Sequence, residues 1–181
     1  GVALQGHEDA VLAARFSLDG NFVLTASRDR TAKAWRTDSG DEVQHYREGH
    51  TYLATRAVFY PNGKSLLTAG MDGTLRTWDV ETGAERFAIV GAGHTAAVAI
   101  SPDAKHILGG LAAQDAPGED ATRDNVPRAA IWSAADGKLI FQLAHHKTDI
   151  TAAAFSADAA HAYTGDTNGR GNLWNVATGE H

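Results

Sequence analysis

His7, Ser27 and Asp29 are the three residue types of a hydrolase triad, gathered near the start of the chain. An imidazole held between a carboxylate and a hydroxyl can act as a general base and activate the hydroxyl for attack. The context is wrong for that chemistry. No Gly-x-Ser-x-Gly elbow presents a nucleophile, and a related set recurs at His50 and Asp72. Asp166-x-Asn168-x-x-Gly171 has the opening rhythm of a calcium loop. Arg170 stands at its fifth position, however, and Ala177 where the bidentate glutamate belongs, so a hairpin turn is expected. His145 and His146 offer two imidazoles, but neighbours on a strand point to opposite faces. "GAGH" at 91–94 is glycine-rich without the strand–GxGxxG–helix setting of a nucleotide loop. No catalytic residue, metal site or cofactor is expected.

The composition narrows the partners. The 181 residues carry 16 basic and 22 acidic side chains, net −6, with no run of Lys or Arg. Nucleic acid and anionic membrane are therefore poor partners. No apolar run approaches the length of a membrane-spanning helix, and no signal-peptide pattern opens the chain. The absence of cysteine excludes disulfides, thiolate metal sites and cysteine catalysis. At 43% hydrophobic, the chain suits one soluble globular domain with a real core.

The elements that must position these residues are repeated. Trp35, Trp78, Trp132 and Trp174 each stand five residues before a glycine, in "WRTDSG", "WDVETG", "WSAADG" and "WNVATG". Upstream, "RFSLDGNFVLTA", "VFYPNGKSLLTA", "AISPDAKHILGG" and "AFSADAAHAYTG" share an apolar run, a turn and a second β-favouring run. From Ser17 to Trp35, Tyr60 to Trp78 and Ser156 to Trp174 is 18 residues; from Ser101 to Trp132 it is 31. Each unit reads as four short strands, near 11–16, 22–27, 31–36 and 41–46 in the first. The units fall at about 6–48, 49–90, 91–144 and 145–181. The excess in the third is an insertion over 112–126 in a single hairpin, not a domain linker. Its net charge of −3 predicts an acidic flap, and closure entropy grows slowly enough for a hairpin to tolerate the length.

With "GH" at 6–7 and 49–50, "SRDRTAKAW" at 27–35 and "GMDGTLRTWD" at 70–79, the whole chain resembles the WD-repeat β-propeller family. The resemblance implies an all-β fold of four-stranded antiparallel blades, about four in this chain, stacked radially. It also implies a buried hydrogen-bonded set in each blade. Carried over, the set is His7, Ser27, Asp29 and Trp35 in the first copy. In the second it is His50, Asp72 and Trp78, with Gly70 in the Ser place. In the fourth it is His146, Asn168 and Trp174, with Asp166 in the Ser place. The third keeps Trp132; His94 lies 7 residues before Ser101, where the other copies show 10.

The family implies a non-catalytic scaffold for a protein or peptide partner. The alternative is a module of a larger protein whose activity lies elsewhere. The expected docking end carries Arg28, Met71 and Thr167 beside the loops that open the inner strands, with Ala10, Leu12, Leu53, Thr55, Asp149 and Thr151. Four copies fit part of a larger ring. A second copy of the chain completing the ring, or "GVALQ" at 1–5 closing a four-bladed one, are the other expectations.

Overall fold

The computed structural model describes residues 1–47, 49–92, 97–110 and 128–181. His94 and the 112–126 insertion lie outside them. The described residues hold fifteen strands and no helix, and divide into two compact units, Gly1–Ala88 and Ile89–His181.

Unit 1 holds two antiparallel blades. The first is β1 (Val11–Phe16), β2 (Phe22–Ser27), β3 (Ala32–Arg36) and β4 (Glu42–Tyr46), in that spatial order. The second is β5 (Ala54–Phe59), β6 (Ser65–Gly70), β7 (Thr74–Asp79) and β8 (Glu85–Val90). Strand β5 lies against β1 and β2, so the two blades pack face to face. Their shared core takes Leu24, Ala26 and Ala34 from the first and Ala57, Leu66 and Trp78 from the second. Unit 2 repeats the arrangement. β9 (Val98–Ile100), β10 (His106–Gly110), β11 (Ala129–Ser133) and β12 (Leu139–Leu143) form one sheet. β13 (Ile150–Phe155), β14 (His161–Asp166) and β15 (Gly171–Asn175) form the other, with β13 against β9 and β10.

The fourth sheet has three strands among the described residues. Its last hairpin is begun by the Asn175 N–H bond to the Glu180 carbonyl at 2.8 Å, the counterpart of Arg36 to Asp41 and Asp79 to Ala84.

The Trp–Gly spacing has a local cause. Gly40, Gly83, Gly137 and Gly179 all adopt φ between 72° and 80°. Each donates its N–H to the carbonyl four residues back, on Arg36, Asp79, Ser133 and Asn175, at 2.8–3.0 Å. The turn therefore needs a left-handed residue at a fixed distance from the tryptophan, and glycine reaches that region without a Cβ clash.

The turn between first and second strands makes the same demand. It is met by Gly20 and Gly63 (φ 73° and 67°) but by Ala104 and Ala159 in the other two copies, both at φ 58°. A left-handed alanine is strained by roughly 1–2 kcal/mol, partly offset by the smaller entropy it loses on folding. Ala159→Gly is expected to stabilise by about 0.5 kcal/mol and Gly20→Ala to destabilise, read from the urea midpoint. A lower midpoint for Ala159→Gly would refute the strain argument.

Candidate functional site

A chain of hydrogen bonds runs through the first blade. Trp35 Nε1 donates to Thr25 Oγ1 at 2.8 Å, and Thr25 Oγ1 lies 2.7 Å from His7 Nε2. His7 Nδ1 lies 2.7 Å from Asp29 Oδ2. One proton arrangement satisfies every atom: indole N–H to hydroxyl, hydroxyl O–H to Nε2, and Nδ1–H to the carboxylate. The imidazole is then neutral, and each bond polarises the next.

The second and fourth blades repeat this chain. Trp78, Thr68, His50 and Asp72 are linked at 2.8, 2.8 and 3.0 Å. Trp174, Thr164, His146 and Asp166 are linked at 2.7, 2.7 and 3.0 Å. In the first two blades the chain fastens the segment before the first strand to the turn between second and third strands, and in the fourth to the end of the second strand. The carboxylate also collects backbone N–H groups from that turn, such as Thr31 at 2.9 Å and Thr74 at 3.1 Å.

These contacts redistribute the expected roles. The bridging hydroxyl is Thr25, two residues before Ser27. Ser27 instead donates to the Asp9 carbonyl at 3.1 Å and accepts the Asp29 N–H. In the fourth blade the carboxylate partner is Asp166, not Asn168, which donates its backbone N–H to Asp166 Oδ1 at 3.0 Å. Ser27, Gly70 and Asp166 share one register position, opposite Val11, Ala54 and Ile150. An aspartate there reaches His146 from the strand end itself. In the third blade Ile107 pairs with Trp132 as Val23 pairs with Trp35. That register puts Gly109 where the others have threonine, so no side-chain hydroxyl stands at that position. The threonines were legible in principle: each precedes its tryptophan by ten residues.

Chemically the set is closed. Asp29, His7 and Thr25 are ordered like a catalytic triad, yet Thr25 is buried and its oxygen already accepts the indole N–H. A substrate carbonyl has no approach to it. Burial alone would raise the Asp29 carboxyl, but bonds from Thr31 and His7 and from backbone N–H groups hold it well below the usual carboxylate range. Asp72 and Asp166 are held low by similar donors against burial. Burial pushes the His50 imidazole down, opposed by Asp72.

The signs give a two-stage acid response. His50 titrates lower folded than unfolded, so its contribution is complete above about pH 6.5 and declines as pH falls below that. The depressed aspartates contribute above about pH 4 and are lost below it. Urea midpoints measured across pH should fall in both windows. Burial also lowers the His45 imidazole, so His50→Gln should shrink the upper step without abolishing it, and a step that persists unchanged would contradict the assignment.

A second polar pairing was not expected. Two residues before each of three tryptophans, a polar side chain meets the residue nine further on. Buried Lys33 bonds Glu42 at 2.6 Å, Arg76 pairs with Glu85, and Asn172 Oδ1 lies 3.2 Å from His181 Nε2. Lys33 also sits 5.7 Å over the Trp35 ring. The opposite charges at this spacing were the signal available in the sequence.

The proposed docking residues come together in pairs. Arg28 N–H bonds the Ala10 carbonyl at 2.9 Å, Met71 the Leu53 carbonyl at 2.8 Å, and Thr167 the Asp149 carbonyl at 3.1 Å. Each bond ties the loop carrying the first residue to the loop opening the inner strand, at the same end of three blades. Arg28, Thr167 and Asp149 are exposed; Met71, Leu53 and Leu12 are half-buried. Tyr52, 54% exposed and beside Leu53, adds an aromatic ring that went unassigned. At the opposite end of unit 1, Leu18, Phe59, Tyr60, Pro61 and Val80 line a shallow apolar groove.

The WD domain, G-beta repeat pattern matches residues 2–36, 41–79 and 137–175. The angio-associated migratory cell proteins of Homo sapiens and Pongo abelii are each 42% identical over 53 residues, spanning 29% of this chain and 12% of theirs. A crystal structure described as the computationally designed Ika4 protein superposes with a TM-score of 0.75 at 24% identity, covering 97% of this chain and 96% of that one. That likeness carries the fold class: β-propeller blades of antiparallel strands.

Proposed function

The chain belongs to the WD domain, G-beta repeat family, and from that premise we propose that it is a non-catalytic protein-interaction scaffold docking its partner at one end of its blades. Repeats of this family serve protein–protein interaction. The observation that carries the choice of end is the set of three backbone bonds, Arg28 to Ala10, Met71 to Leu53 and Thr167 to Asp149. Each braces a pair of loops at the end of its own blade. An arginine, a methionine and an aromatic ring at one edge are the residue types that anchor protein partners.

The apolar groove at the opposite end of unit 1 favours a second reading, in which a partner docks over Leu18 and Pro61. Photo-crosslinking residues placed singly at Arg28, Met71 and Thr167, and at Leu18 and Asn62, separate the two in native extract. The same protein captured from Arg28 and Met71, both in unit 1, or a protein captured from Thr167 in unit 2, supports the proposal. Capture from Leu18 and Asn62 alone would overturn it in favour of the groove.

A further inference from the structure

At the end of unit 1 opposite the docking loops, two shallow hollows adjoin and share Leu18, Phe59, Tyr60 and Pro61. Both walls belong to unit 1: the turn after β1 supplies Leu18, and the end of β5 with its turn supplies the rest. Phe22 and Val80 complete the floor of one hollow. The walls are set before anything binds. Ser17 Oγ accepts the Phe22 N–H at 3.0 Å, Asn62 Oδ1 accepts the Lys64 N–H at 2.9 Å, and the Tyr60 hydroxyl lies 3.3 Å from Thr77 Oγ1. A groove held this way loses little freedom when it is filled.

Unit 2 has the same positions filled with smaller or more polar residues. Register and turn bonds align Leu18, Phe22, Tyr60 and Pro61 with Pro102, His106, Ser156 and Ala157. The places of Phe59 and Val80 keep their residues, as Phe155 and Val176. The His106 and Phe155 rings lie 6.5 Å apart, so these positions do face one another across a pair of blades. The turn does not ask for leucine: proline or alanine stands in its place in the other three copies. Leu18 is nonetheless 91% exposed. Unit 1 thus gathers Leu18, Phe22 and Tyr60 at a place where the fold is satisfied by Pro102, His106 and Ser156.

The groove is charged oppositely at its two mouths. Arg15 lines one hollow and Asp19 the other. Arg15 Nη1 donates to the Ala14 carbonyl at 3.0 Å. The Asp19 carboxylate is fixed by Ser17 Oγ at 2.6 Å and Asn21 Nδ2 at 2.8 Å. Neither charge meets a partner of opposite sign among the described residues. We propose that the groove is a peptide site for an extended apolar segment with an acidic side chain at its Arg15 end and a basic one at its Asp19 end. The apolar middle supplies affinity by covering Leu18 and the rings beside it. The two charges fix the direction of the segment and reject the reversed one. The site is additional to the docking loops, lies at the other end of the blades, and stands or falls without them.

Selection of a random peptide library displayed on phage against the 181-residue chain tests the site. The enriched sequences should share an apolar run with an acid on one side and a base on the other. A selected peptide, made synthetically and followed by fluorescence anisotropy, should bind Leu18→Glu about tenfold more weakly than the parent. Leu18 is exposed, so that variant should keep the parent's circular dichroism. Reselection against Arg15→Glu should exchange the acid for a base and keep the apolar run. A selection with no common pattern overturns the proposal. So does a peptide that binds Leu18→Glu as tightly as the parent, or a pattern that Arg15→Glu leaves unchanged. Peptides lost with Arg28→Glu instead belong to the docking loops and overturn the groove as their site.

Discussion

Replacing Thr68 with valine is expected to destabilise the fold by about 2–5 kcal/mol while changing side-chain volume little. The Thr68 hydroxyl accepts the Trp78 indole N–H at 2.8 Å and lies 2.8 Å from His50 Nε2. Valine fills the space but serves neither group. A buried donor and a buried acceptor are both left without a partner, each costing about 1–3 kcal/mol. Thr25→Val should act alike in the first blade. Ser27→Ala is the control: its hydroxyl sits outside the Trp–Thr–His–Asp chain, and about 1 kcal/mol is expected. Chemical denaturation with a shared m-value measures all three. Equal losses for Ser27→Ala and Thr25→Val would restore serine to the central role.

Gly70→Ser is expected to lose about 3–5 kcal/mol, although it makes the second copy look more like the first. A Cβ on Gly70 would stand 2.3 Å from His50 Nδ1 and 2.5 Å from Asp72 Oδ1. Those two atoms are bonded to each other, and Asp72 is further held by the Thr51 and Thr74 N–H groups. Neither can retreat without breaking the chain of bonds. Overpacking and an unsatisfied imidazole therefore add. The Nδ1–H resonance of His50 should vanish along with the stability. A variant as stable as the parent would show that the histidine has room to move.

The strands were legible because their signals are local. Alternating apolar residues and Gly-bearing turns place β1 to β4 within a residue of the expected bounds. The insertion in the third copy is an expectation from spacing alone, on residues outside those described. The hydrogen-bonded set was legible in its ends, His7, Asp29 and Trp35, but not in its middle. Serine and threonine two residues apart point to the same face of a strand. Only the three-dimensional path from indole to imidazole distinguishes Thr25 from Ser27. Asp166 was misassigned for a related reason: a carboxylate on the strand end and one in the turn can reach the same imidazole. The exposure of Phe16 leaves no mark in the sequence, since Phe16 reads like the partly buried Phe59. Exposure depends on what packs against a residue, not on the residue.

Between β10 and β11 the chain runs through residues 111–128 before the ladder resumes, where β2 and β3 are joined by 28–31. The register is nonetheless the same, Ile107 to Trp132 as Val23 to Trp35. The difference therefore falls on the order of assembly. Closing the longer connection costs about 1.3 kcal/mol more in chain entropy, an approximately tenfold slower search if it enters the barrier. Unit 1, with its short hairpins, should be in place first, and the pairing of β10 with β11 should set the pace at which unit 2 follows.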